Sequence, residues 1–199
     1  VVTPGRRELH KAATRRALQD AALDLFERHG YERTTVRDVA SAAGVTERTF
    51  FRYFPSKEDL VLGEVLDLIP VLAEAVRARP AGEPPYEAVL NGLLAVAEQR
   101  GTGLGVLFSG PPAHFMSRAT RAAQPVLLQF EDGLAAALAD RLTATGDREV
   151  EFRASVLARA SVAAMRSTLI AFGGLPESDK GLPAALRLVR EAFDVLVKP

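Results

Sequence analysis

Apolar positions along the chain recur at helical spacing, and no long alternation of period two interrupts them. Leu18, Ala22, Leu25 and Phe26 fall at i, i+4, i+7 and i+8, on one helix face. This predicts a first helix over about 7–29, closed by Gly30, where a left-handed cap is expected. A short helix follows from about Thr35 to Ala43 and stops at Gly44, and a third begins after Thr46 and ends near Tyr53. Pro55 breaks the chain there, because it lacks an N–H and restricts Phe54. Ser56, with Asp59 three residues on, matches a capping box and opens a long helix to about Arg79. The run Ala81-Gly-Glu-Pro-Pro is a loop. Beyond it the pattern predicts helices at about 85–100, 113–123, 125–145, 147–172 and 183–197. A glycine-rich break at 101–105, the run Gly110-Pro-Pro, and Gly173-Gly174 with Pro176 punctuate them.

The fold class is therefore all-α, with an N-terminal three-helix head, a connecting helix and a larger C-terminal helical body. The head is expected to occupy residues 1–55, and the connecting helix and body residues 56–199. Within the head, Val39 and Ala40 pack the second helix inward, and Ala40 is small where the third helix crosses. Gly44 supplies a turn conformation that a Cβ would penalise. Val45 and Phe50 close the small core from the other side, and Thr46 caps the third helix. This is the pattern of a helix-turn-helix, whose second helix enters the DNA major groove.

Composition narrows the alternatives. The 199 residues are 48% hydrophobic and 25% charged, as in an ordinary globular protein, and are enough to bury a core. With no cysteine, disulfides, thiolate zinc sites and cysteine nucleophiles are excluded, and a cytoplasmic location is expected. His10, His29 and His114 lie too far apart to form a metal-ligand motif, so no metal or cofactor is expected. No stretch approaches 18 uncharged apolar residues, and no apolar run follows the basic N-terminus, so neither a membrane span nor a signal peptide is expected. Basic and acidic residues balance at 25 each, but residues 1–16 hold five Arg or Lys against one acid. That arm either meets phosphates or is a solvated terminus.

Several linked segments carry a family resemblance. They are Ala21-Ala-Leu-Asp-Leu-Phe, Gly30-Tyr, Thr34-Thr-Val-Arg-Asp-Val-Ala, Ala43-Gly-Val-Thr and Tyr53-Phe-Pro-Ser-Lys-Glu-Asp-Leu. In this order they resemble the DNA-binding head of the tetracycline-repressor (TetR) family over roughly residues 7–62. The chain departs from the commonest family pattern at Arg48, where Gly is frequent, and at Phe51, where Tyr is frequent. Phe51 thereby lacks a hydroxyl for phosphate.

In the first turn of the third helix, Glu47, Arg48 and Thr49 are placed to reach base edges, with Arg52 farther along the same helix. Arg48 suits a bidentate pair with guanine, and Glu47 either accepts from a cytosine amine or simply favours the helix dipole. The resemblance implies DNA contacts by Arg37, and phosphate contacts by Tyr53 and Lys57 flanking the reading helix. Thr35 bonds a phosphate, forms a capping box with Asp38, or does both, and Thr46 caps the reading helix.

The body shows no catalytic constellation. Gly101-Thr-Gly-Leu-Gly lacks the third glycine and the Gly-Lys-Ser/Thr of phosphate loops, and Ser109 has no nucleophile-elbow context, so an enzyme is not expected. Pocket candidates are Phe108, Phe115, Met116, Phe130, Phe152 and Met165, each of them better suited to plain core than to a pocket. Arg166 interrupts an apolar run and must be paired, snorkelled or aimed at a ligand anion. The resemblance implies a homodimer through the last two helices. Ala160 and Ala164 give one of them a small side, and Leu186, Val189 and Phe193 give the other an apolar stripe. That stripe also suits packing on the body itself. The function these features imply is a dimeric, ligand-responsive repressor. Its partners would be a near-palindromic double-stranded operator and a small apolar organic effector. A helical interaction module without DNA binding is the alternative.

Overall fold

A computed structural model of the chain describes residues 5–100, 123–146 and 148–197. The described residues form helices and a 3-10 turn with no strand, in the order α1 (Arg6–His29), α2 (Val36–Ala42), α3 (Glu47–Tyr53), α4 (Lys57–Arg77), α5 (Pro85–Arg100), α6 (Ala123–Ala144), α7 (Val150–Gly173) and α8 (Leu182–Val197). The helix expected at 113–123 and the glycine-rich break before it lie largely outside the described residues.

The local signals act as chemistry requires. The Gly30 N–H closes α1 on the Phe26 carbonyl at 2.9 Å, but at φ +79° and ψ 154° the residue is extended at positive φ rather than in the left-handed helical cap expected. Gly44 turns between α2 and α3 at φ +68°, a left-handed conformation that L side chains rarely adopt. The Val45 N–H then returns to the Ala40 carbonyl at 2.9 Å. Ser56 accepts from the Asp59 N–H and opens α4.

Two hydrophobic cores result. Leu18, Ala22, Phe26, Val39, Ala40, Phe50 and Phe54 fill the head, and the first turns of α4 add Leu60 and Val61. Burying Phe50 completely is worth about 1.5–3 kcal/mol to this small unit. The head's packing thus reaches past position 55 into α4. Farther along α4, Val65, Leu68, Leu72, Ala73 and Val76 turn to the body core, shared with α5 to α8.

A polar seam runs beside the apolar one. Gln19 of α1, 2% exposed, donates to the Asp67 carboxylate of α4 at 2.9 Å. The Arg15 guanidinium lies over the Phe54 ring, 4.9 Å from its centroid, where Gly63 leaves room for it. A Cβ on Gly63 would stand 2.9 Å from the Arg15 Nη2.

At its other end α4 is fastened by a buried cation. Arg141 of α6 donates from Nη1 to the carbonyls of Val76 and Arg79 at 3.3 and 2.6 Å. Its Nη2 donates to those of Pro80 and Glu83 at 2.8 and 3.0 Å. A cation suits the negative end of a helix dipole. Arg77 adds ion pairs to Glu74 and Asp140. Between these anchors α4 runs through Pro70, whose missing N–H interrupts the backbone ladder. Helices α4 and α6 approach closely at Gly133, where a Cβ would meet Ile69 Cγ2 at 2.5 Å.

Helix α7 is long and apolar enough to cross a membrane by length and composition alone. It carries Arg153, Arg159 and Arg166, however, and buries Ala154, Ala158, Val162 and Leu169 in the body core, as a core helix does.

Candidate nucleic-acid interface

Helix α2 is set by a complete capping box. The Thr35 hydroxyl accepts from the Asp38 N–H at 3.2 Å, and the Asp38 carboxylate accepts from the Thr35 N–H at 2.9 Å and its hydroxyl at 2.6 Å. These bonds from the Thr35 hydroxyl and N–H hold the Asp38 carboxyl below its ordinary range. Helix α3 starts on Thr46, whose hydroxyl accepts from the Thr49 N–H at 3.2 Å.

With Phe50 buried beneath it, α3 exposes an arc of Glu47, Arg48, Phe51 and Arg52. Thr49 and Tyr53 are half-buried at its edges. The Arg52 guanidinium lies 5.1 Å from the Tyr53 ring centroid. Arg37, exposed on α2, stands 4.0 Å from the Glu47 carboxylate, a loose surface pair. Arg37, Glu47, Arg48 and Arg52 therefore share one open, mostly basic face.

Lys57 departs from the simple expectation. Its ammonium donates to the carbonyls of Tyr31 and Thr34 at 2.8 and 2.9 Å and lies 3.7 Å from the Tyr31 ring centroid. Two of its three N–H groups are thus committed to the loop before α2. Beside it the Tyr31 hydroxyl donates to Glu58 at 2.7 Å. Burial and the Glu58 bond push the Tyr31 hydroxyl well above the usual tyrosine range. Burial alone would raise Glu58, but the bonds it accepts from Tyr31, its own N–H and Ser56 hold it below the ordinary glutamate range. Sequence reasoning missed this Tyr31–Glu58–Lys57 cluster, although Gly30-Tyr and Ser-Lys-Glu-Asp both stood among the motifs.

Of the pocket candidates, Phe108, Phe115 and Met116 lie outside the described residues. Phe130 is 4% exposed within the body core, and Met165 packs against that core. Phe152 is 69% exposed at the surface, beside a shallow, open depression of about 410 Å³ lined by Arg148 to Phe152. It cannot line an interior pocket in this arrangement. Arg166 is half-buried on α7.

Most of the residues expected at a dimer contact face the body core. Val189 and Phe193 are 2% and 1% exposed, Ala164 is buried, and Leu186 packs on the same core. The stripe on α8 seats that helix on its own body, with Val189 and Phe193 fully covered and Leu186 half-buried. Ala160 is half-buried. The outward face of α7 instead carries Phe152, Val156, Ala163 and Ile170.

Residues 18–63, the head with its share of α4, match the model of bacterial regulatory proteins of the tetR family. This head is therefore similar to the DNA-binding head of the TetR family. Among curated relatives, the HTH-type transcriptional regulator TcmR of Streptomyces glaucescens is 42% identical over 93 residues, 47% of this chain and 41% of that one. RutR of Escherichia coli K12 is 39% identical over 71 residues, 34% of each chain. The chain thus spans well under half the length of these relatives. The fold extends further. FadR of Thermus thermophilus, a TetR-family repressor solved with lauroyl-CoA, superposes with TM-score 0.66 at 22% identity, over 92% of this chain and 93% of that one. A TetR regulator from Rhodococcus sp. RHA1 gives 0.64 at 22% identity, over 95% and 98%.

Proposed function

We propose that this chain is a TetR-family, sequence-specific DNA-binding transcriptional repressor that works as a cytoplasmic homodimer and releases its operator when a small, largely apolar organic molecule binds the body. The observation that carries the reading is the exposed arc of α3. A helix of seven residues is capped, backed by Phe50 and left open on the one face that holds Arg48 and Arg52. Such a helix fits the major groove, and Arg37 of α2 extends the basic face.

The dimer is assigned to the outward face of α7. Phe152, Val156 and Ile170 are 69%, 47% and 47% exposed, and Leu182 and Val195 of α8 are 46% and 68% exposed. A two-fold axis there pairs like with like and presents two heads to inverted half-sites about one helical turn, or a multiple, apart. The effector class is proposed from the apolar body core; in the Thermus repressor the same fold is solved with lauroyl-CoA, whose acyl chain is apolar. The ligand must favour one head spacing over another, because equal affinity for both shifts nothing.

Selection of the full chain on random duplex DNA, followed by salt-titrated binding, tests this. The expected result is an inverted repeat bound far more tightly than random sequence, with Arg48→Ala relaxing one position of each half-site at a cost of about 1–3 kcal/mol. Enrichment of no sequence, with only generic salt-sensitive binding, would overturn it.

A further inference from the structure

We propose that Phe51 is a specificity-determining residue that seats on the C5-methyl group of a thymine in the major groove. The inference rests on the DNA-binding reading above.

Phe51 is 51% exposed, although its neighbours Phe50 and Phe54 are 0% and 2% exposed. The head core is therefore complete without it. Its ring stands edge-on to Phe50, with centroids 5.5 Å apart and planes at 83°, so it is braced from below and open above. Along α3 it lies one turn after Glu47 and Arg48 and directly precedes Arg52, within the exposed arc that these residues define. An apolar ring held on an otherwise charged face is available to an apolar partner.

The flanking charges limit what that partner is. Arg48 and Arg52 draw the face to a polyanion, and a phenyl ring has no donor with which to bond a phosphate oxygen. Among base edges in the major groove, the thymine C5-methyl is the apolar group, and Phe is one of the side chains that contact it. Glu47, on the same arc, repels phosphate and accepts from base amines, which also directs this face toward base edges. The side chain is rigid, with two torsions to fix, so seating it costs little order.

The test uses the full chain and the duplex recovered by selection. Each thymine of one half-site is replaced in turn by deoxyuridine, which removes one methyl and leaves every hydrogen-bonding atom in place. One position should weaken wild-type binding about fourfold, the equivalent of ~0.8 kcal/mol for one buried methyl. Phe51→Ala should bind the thymine and deoxyuridine duplexes equally, with an unchanged salt slope because no charge is lost. Phe51→Tyr keeps the ring and should keep the discrimination, which separates ring contact from any folding defect of the alanine variant. If deoxyuridine has no effect at any position, or the same effect on wild type and Phe51→Ala, the assignment is wrong while DNA binding stands. If selection recovers no duplex, both fall together.

Discussion

Arg141→Ala removes one side chain from the joint between α4, the following loop and α6. Arg141 is 8% exposed, and its guanidinium serves four carbonyls, those of Val76, Arg79, Pro80 and Glu83. The Val76 and Pro80 carbonyls keep backbone partners, the N–H groups of Arg79 and Glu83. The full loss thus falls on the bonds to Arg79 and Glu83, at 2.6 and 3.0 Å. At about 1.5 kcal/mol for each bond from a charged donor, the substitution costs about 3 kcal/mol. For a chain of this size that lowers the melting temperature by about 6–12 °C. Arg141→Met, which keeps the stem's packing, should lose slightly less, and Arg141→Lys should fall between, because a point charge cannot span the two arms of the fork. Thermal unfolding followed by circular dichroism, with all variants at one protein concentration, measures the shift. A fall of less than about 2 °C for Arg141→Ala would refute the reasoning, since it would mean that water or relaxed backbone replaces the guanidinium at no cost.

Lys57→Met keeps the stem over Tyr31 and deletes two bonds to carbonyls, so urea unfolding should show about 1–2 kcal/mol of lost stability. An unchanged midpoint together with a salt slope lowered by about one would instead identify Lys57 as a phosphate contact. Tyr31→Phe should destabilise the chain by an amount that depends on pH. Glu58 is held below its ordinary range, so its contribution is complete above that range and is lost as pH falls through the lowered value. Tyr31 is held above its ordinary range, so its contribution is complete below that range and fails only in strong base. Denaturation across pH should therefore give a wild-type advantage over Tyr31→Phe that is level near neutrality and narrows on acidification. A difference independent of pH down to the acid transition would contradict it.

The head was legible in the sequence because its signals are local. Thr35 with Asp38, Gly44, Thr46 and Pro55 each act within a few residues, and they set α2 and α3 where the pattern predicted. The outward face of α7 was not legible in the same way. Val189 and Phe193 make a clear stripe, but periodicity states only that a face is covered, not whether the chain or a partner covers it. Phe152 has the aromatic character of a pocket or core residue, yet it stands at the surface. Arg141 gave no signal, since the carbonyls it serves lie about sixty residues earlier. The charge of Lys57 is plain in the sequence, while the backbone oxygens that hold it carry no sequence mark.

Helix α4 has a bearing on how such chains can be recombined. Its first turns supply Leu60 and Val61 to one core, while Val65 to Val76 serve the other, and Asp67 and Gly63 receive Gln19 and Arg15 of α1. A crossover at Pro55, where the chain visibly breaks, would give a transplanted head a foreign floor beneath Phe26 and Phe54 and nothing to hold Gln19. A crossover just after Asp67 would carry the floor and the seam together and leave Pro70 behind with the donor's body. The heritable module is thus longer than the three helices of the head, and its natural seam lies inside a continuous helix rather than in a loop.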